Sequence, residues 1–328
     1  MQFPTRVSSI LHWRTLQRLL SLFPASGTIE CPSPSFEVSG IPVPDFPETP
    51  QAASSGGVAP VSASKSDSPY STPESTFDYM DAHCHIDCLL HAAQYPGNLT
   101  EFLANQKINT TNFQGCIANF CDVGTLTNQE NWQNLVKVKL VLPTTGFHPK
   151  HARNFTQDTD RVIRHLLGHP KTCALGEVGL DYSWGRSRYK TVVHWVLRRL
   201  LKMAVENQTP VVLHCRSADD NSHNAEDDCF QIVSETLPSS WKIHSHCYTN
   251  CWKRATKRCT QFPNLCIGLT PIIMLETTGP REVAKRIPLG RLLFETDAPY
   301  FKPRGSPHSL KFSNPTNAKL VDKLNFIS

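Results

Sequence analysis

The chain has 328 residues, 39% of them hydrophobic and 19% charged, enough to bury a sizeable core, and no stretch approaches the ~20 apolar residues of a membrane-spanning helix. A helical membrane protein is therefore not expected. Eleven of the 25 prolines lie in residues 1–77, which carry four Lys/Arg against six Asp/Glu, whereas residues 78–328 carry 29 against 22, net +7. That modest positive balance suits a polyanionic ligand but is equally common in ordinary enzymes, so charge alone selects no function.

Reading from the N-terminus, Arg14 and Arg18 interrupt the apolar run 10–20, where an export signal needs an unbroken hydrophobic segment. The twelve cysteines are accordingly read as reduced. The same stretch is amphipathic, contains Arg and Ser, and is free of acids until Glu30, which is the character of a mitochondrial presequence. A nuclear or cytoplasmic location is expected, with mitochondrial as the alternative. Residues 24–76 are rich in Pro, Ser and Ala, cannot bury enough apolar surface to offset chain entropy, and are expected to be disordered.

After Phe77 short apolar runs alternate with helical patterns, the signature of repeated β-α units and a parallel sheet. Eight runs are counted, at 79–86, 114–120, 140–148, 173–181, 210–216, 241–248, 265–271 and 291–299. In the clearest helix, 189–207, Val193, Val196, Leu197, Leu200 and Ala204 recur at helical spacing and are predicted to be core. Eight units in residues 78–328 predict an α/β fold, a (β/α)8 TIM barrel of metal-dependent hydrolase type preceded by the disordered segment. A doubly wound open sheet is the alternative, but the chain lacks the Gly-rich first turn of that type.

The first run contains Asp81-Ala82-His83-Cys84-His85-Ile86-Asp87, and strand alternation puts His83 and His85 on one face with Cys84 on the other. In a β/α barrel the functional site lies at the C-terminal strand ends, so further ligand-type residues should end other strands. They do. Glu177 sits in an apolar strand where an unpaired carboxylate would be costly, His214 ends the fifth run, His246 the sixth with His244 on its face, and Asp297 the eighth. His83, His85, Glu177, His214, His246 and Asp297 are thus expected to converge on one or two divalent ions. Cys84, Cys215 and Cys247 each neighbour a proposed ligand and are read as facing the helices.

Taken together, His83-x-His85-x-Asp87, Gly146-Phe147-His148-Pro149, Gly176-Glu177-Val178-Gly179-Leu180-Asp181-Tyr182, Val212-Leu213-His214-Cys215-Arg216, His246-Cys247-Tyr248 and Glu295-Thr296-Asp297-Ala298-Pro299-Tyr300 resemble the TatD family of metal-dependent nucleases over about residues 78–315. The resemblance implies a barrel that cleaves phosphodiester bonds of DNA or RNA, acting on single strands or strand ends with two divalent ions, Mg, Mn or Zn. It implies that His83, His85 and Asp297 hold one ion, His214 and His246 the other, that Glu177 bridges them, and that Asp297 is the general base. His148 and Arg216, on the same rim, and Lys253 and Arg254, which with Lys257 and Arg258 form a basic helical face, are the candidate phosphate contacts, against a supporting role for His148, a salt bridge to a rim carboxylate for Arg216 and a merely solvated face for the helix. Tyr182 and Trp184 offer base stacking, against the alternative of packing on the barrel itself.

Several positions depart from the family pattern: Lys150 for a histidine, Ser217 for an acid, Asn250 for a glycine, and apolar Val193 and Leu200 where glutamines would support the site. The chain ends at Ser328, with Asn314-Pro315 opening the last helix, so a truncated barrel is expected. Two other functions stay open: a metal-dependent hydrolase of a small molecule, and a catalytically impaired barrel that binds nucleic acid. No protein partner is indicated.

Overall fold

The structure is a computed structural model describing residues 78–106, 112–183, 189–218, 224–274 and 278–301. The expectations about residues 1–77, Trp184 and the last helix at Asn314 lie outside the described residues. Eight parallel strands follow one another in chain order: β1 (Tyr79–Cys84), β2 (Phe113–Phe120), β3 (Val141–Thr145), β4 (Ala174–Asp181), β5 (Val211–Arg216), β6 (Ile243–Ser245), β7 (Leu265–Leu269) and β8 (Leu292–Phe294). Each pairs with the next, which excludes the doubly wound order and gives a nearly closed barrel.

The seam between β1 and β8 is joined just past the strands. Asp297 N donates to the His83 carbonyl at 2.9 Å and His85 N donates to the Ala298 carbonyl at 2.8 Å. Several strands are shorter than their sequence runs, most of all the sixth and the eighth. There the chain leaves the extended conformation at the rim: Cys247 and Asp297 take φ of 45° and 50°. Such left-handed geometry is uncommon outside glycine, and here it turns the chain where ligand-type side chains enter the mouth.

Helices α1 (Ile86–Ala92), α2 (Leu99–Asn105), α3 (Val123–Thr127), α4 (Gln129–Val136), α5 (Gln157–Leu167), α6 (Lys190–Glu206), α7 (Ala225–Thr236), α8 (Trp252–Gln261) and α9 (Thr278–Arg286) lie between the strands. Helices α2, α3, α4, α5 and α7 start on side-chain caps, and Asn98 and Glu101 form a reciprocal capping box at α2. In α6 the predicted stripe Val193, Val196, Leu197, Leu200 and Ala204 is buried. Two of the family departures, Val193 and Leu200, thus belong to the core between helix and sheet. No described helix is long and apolar enough to cross a membrane.

Candidate metal centre

The side chains expected to converge do so at the C-terminal mouth of the barrel. From β1 and the turn after it, His83 and His85 bring their Nε2 atoms within 3.2 Å of each other. Both face one oxygen of Glu177, Oε2, at 3.5 and 3.3 Å, and both face Asp297 Oδ1 at 3.5 and 3.3 Å. The other Glu177 oxygen, Oε1, lies 2.5 Å from His214 Nδ1, 3.8 Å from His148 Nε2 and 3.8 Å from His246 Nε2. His246 Nε2 is also 3.7 Å from Asp297 Oδ1 and so stands between the two sets. One buried carboxylate therefore presents one oxygen to each of two groups of imidazoles.

Neighbouring groups fix these rings. His85 Nδ1 is 3.1 Å from the Asn119 carbonyl, and His148 Nδ1 accepts from Lys150 N at 3.1 Å. Behind His246, Glu295 Oε1 lies 3.1 Å from Nδ1 and accepts from Cys247 N, while Oε2 lies 2.8 Å from His244 Nε2. A carboxylate behind a histidine sets its ring orientation and raises its basicity toward a metal. Gly268 on β7 is required here, because a Cβ would collide with both Glu295 and His244. On the other side His214 Nε2 is 3.6 Å from Asp181 Oδ2.

The electrostatics are those of a charged site withdrawn from water. Glu177, Glu295, Asp181 and Asp297 are 1%, 1%, 4% and 6% exposed. Burial opposes ionisation of Glu177, yet His214, His246 and His148 hold its carboxyl well below the usual range. Against the same burial, Glu177 and Asp181 push the His214 imidazole up to about 10. His83 goes the other way, down to about 4, through burial and the charge of His246. Four buried carboxylates in one mouth demand positive charge, from imidazolium or from bound cations.

The donor set fits divalent ions. His83, His85 and Asp297, and likewise His83, Glu177 and His246, and His148, Glu177 and His214, each bring three ligand-type atoms within 4.8 Å of one another. Asp297 Oδ1 and His83 Nδ1 are buried without a hydrogen-bond partner. A buried carboxylate oxygen left without a donor, facing three imidazole nitrogens, is suited to a cation.

The expected phosphate contacts fare differently. His148 joins the ligand cluster instead of standing outside it, while Arg216 is exposed at the end of β5. The basic face on α8 needs correction. Arg254 is bound to Asp227 at 2.6 Å and to Asn250, and Arg258 is buried, 2.7 Å from Asp227 and 4.3 Å over the Phe230 ring. Only the Lys253 and Lys257 side of that face is exposed. Helical spacing shows which residues share a face, but not that Asp227 on α7 lies opposite. Tyr182 is fully buried, its hydroxyl 2.7 Å from Asp228 Oδ2 and 2.5 Å from His194 Nε2, so it packs on the barrel and offers no base-stacking face.

Sequence reasoning missed Glu295, Asp181 and Cys121 as parts of the centre. Asp181 was findable, being four residues after Glu177 in one strand and so on the same face. Cys84 is buried in the apolar core, its Sγ lying 3.7 Å from the Ile117 carbonyl of β2. Cys247 is beyond β6, so strand alternation does not reach it, and its Sγ is 3.4 Å from Thr270 Oγ1.

Fold and site together define a barrel of metal-dependent hydrolase type. The TatD-related DNase family model matches residues 80–324, and the chain belongs to that family. It is 38% identical over 237 residues to the human 3'-5' RNA nuclease TATDN2, covering 71% of this chain and 30% of that protein, so it spans under a third of that relative's length. It is 36% identical over 163 residues to the 3'-5' ssDNA/RNA exonuclease TatD of Erwinia amylovora, covering 49% of this chain and 59% of that one. It is 29% identical to the metal-dependent hydrolase YabD of Bacillus subtilis, covering 74% and 87%. Among solved structures, YJJV, a TatD homologue of Escherichia coli, superposes with a TM-score of 0.54 at 22% identity, over 70% of this chain and 83% of that one, a likeness of fold.

Proposed function

We propose that the chain is a metal-dependent nuclease that hydrolyses phosphodiester bonds of single-stranded RNA or DNA from the 3' end. The observation that carries this reading is the division of Glu177, with Oε2 facing His83 and His85 and Oε1 facing His214, His148 and His246. That is the arrangement a bridging ligand between two ions needs. The RNA nuclease activity of the human relative and the ssDNA/RNA exonuclease activity of the Erwinia relative support the substrate class.

In this reading His83, His85 and Asp297 would hold one ion, His214 and His246 with His148 beside them would hold the other, and Glu177 would be shared by both sets. Bound divalent ions would supply the positive charge that polarises a phosphodiester and eases deprotonation of an attacking water. Asp297, a carboxylate at the edge of the cluster, would take the proton of that water. Glu295 and Asn119 keep the His246 and His85 rings aimed inward. Arg216 and Lys253, exposed near the mouth, steer the strand by its phosphates, which makes binding depend on salt.

The test is cleavage of 5'-labelled single-stranded RNA and DNA by the full chain with EDTA, Mg²⁺ or Mn²⁺, beside an Asp297→Asn control. Ion-dependent shortening from the 3' end, lost in the control, is expected. Folded, ion-loaded protein that leaves both substrates intact would overturn the nuclease reading.

A further inference from the structure

One buried group in the mouth has no role in the mechanism above. Cys121 directly follows β2 and is 5% exposed. Phe120, the residue before it, packs against Trp132 of α4 with ring centroids 6.3 Å apart, so Phe120 faces the helices. Asn119, the residue before Phe120, turns its side chain to the opposite face, and its backbone carbonyl meets His85 Nδ1 at 3.1 Å. The Cys121 carbonyl accepts from His148 N at 3.2 Å, which ties the residue to the loop that carries another member of the cluster.

The sulfur points into the centre. Cys121 Sγ lies 3.9 Å from Glu177 Oε2, and the sulfur, a His85 ring nitrogen and a Glu177 oxygen all fall within 4.8 Å of one another. The partnerless Asp297 Oδ1, on a residue 6% exposed, faces His85 Nε2 at 3.3 Å. This is the side of the cluster that holds His83, His85 and Asp297. Cys84 shows the contrast, its Sγ lying 3.7 Å from the Ile117 carbonyl within the apolar core.

We infer that Cys121 supplies a sulfur ligand to the ion held by His85 and Glu177, and that this ligand biases the centre toward a thiophilic ion such as Zn²⁺ over Mg²⁺ or Mn²⁺. The inference rests on the metal-centre reading above. Imidazole and carboxylate sites accept many divalent ions, whereas a thiolate selects the softer ones, so one sulfur in an otherwise hard set changes the ranking. As the sulfur–metal bond forms, the thiol S–H bond breaks and its proton leaves to solvent, so loading with such an ion releases one more proton than it would without Cys121.

The experiment titrates Co²⁺ into the full chain and into Cys121→Ser and Cys121→Ala, following two signals. Visible d–d absorption reports that the ion is bound, and a near-ultraviolet sulfur-to-cobalt band reports a thiolate ligand. The wild-type protein is expected to show both. The two variants should keep the d–d absorption and lose the sulfur band, with Zn²⁺ affinity relative to Mn²⁺ falling roughly 10-fold or more, since even groups behind a ligand are worth that much. Bound Co²⁺ with no sulfur band in the wild type, or a band unchanged in both variants, would overturn the sulfur ligand while leaving the metal centre standing. Folded wild-type protein that takes up no Co²⁺ at all would overturn both.

Discussion

Thr296 grips Asp81 with two hydrogen bonds, from its amide to Oδ1 at 3.0 Å and from its hydroxyl to Oδ2 at 2.5 Å. The two residues are at opposite ends of the barrel sequence, and the pair bridges the seam where β1 meets the segment after β8. His83 N also donates to Asp81 Oδ1, at 3.1 Å, and the Thr296 hydroxyl accepts from Ala298 N at 3.0 Å. Asp81 thereby positions the backbone on both sides of the His83 and Asp297 pair. Replacing Thr296 with Val keeps the shape but deletes the hydroxyl's bond to a buried acid. A loss of about 2 kcal/mol in unfolding free energy is expected, read as a lower urea midpoint at unchanged slope.

Behind the ligands, Glu295 joins His244 and His246 and accepts from the Cys247 amide. Burial opposes its ionisation, but the charges of His246 and His244 hold its carboxyl far below the usual range. Glu295→Gln retains the volume and removes the charge that orients His246. Metal affinity measured by calorimetry should fall roughly 10- to 100-fold, while the circular dichroism spectrum stays that of the wild type.

The parts legible from sequence were those set by short-range geometry. The period of two placed His83 beside His85 and marked Glu177 as a carboxylate in an apolar strand, and the helical period marked the buried stripe of α6. What sequence could not show depends on closure of the barrel. Asp81 meets Thr296 and Cys121 meets Glu177 only once separate β-α units have come together. The misread basic face has the same origin, because Arg254 and Arg258 were counted along α8 while their partner Asp227 comes from α7. Strand ends were overrun because the ligand-bearing residues His246 and Asp297 lie past the strands, in turns that the apolar pattern does not mark.

The buried carboxylates also make a prediction about stability. A divalent ion binds the folded mouth and has no matched site in the unfolded chain, so it stabilises by mass action. At an ion concentration about 100 times its dissociation constant the gain is about 2.7 kcal/mol. Adding Mn²⁺ or Zn²⁺ to EDTA-treated protein should raise the melting temperature by several degrees, and EDTA should reverse the shift. Glu177→Gln removes the charge of the carboxylate that both groups of imidazoles face, and its melting temperature should scarcely respond to either ion.

Away from the mouth, Glu226 gives a pH dependence that can be isolated from the metal centre. It lies in the first turn of α7, 3% exposed, with the nearest guanidinium nitrogen, Arg258 Nε, 3.8 Å from Oε1. Arg258 is engaged more closely by Asp227, at 2.7 Å. Burial raises the Glu226 carboxyl from 4.5 to about 7, and the charges of Arg258 and Arg254 only partly oppose this. Between those values the folded chain holds a proton that the unfolded chain has released. The folded state therefore binds more protons, and the contribution to stability, complete below the unfolded value, is lost as pH rises through the folded one. Glu226→Gln carries no such proton. Its unfolding free energy relative to wild type should rise across the window from 4.5 to above 7 by at most roughly 3 kcal/mol, with the variant gaining most at the alkaline end. Parallel urea titrations at a series of pH values read the difference directly, and a flat difference across the window would show that Glu226 is ionised in the folded protein throughout.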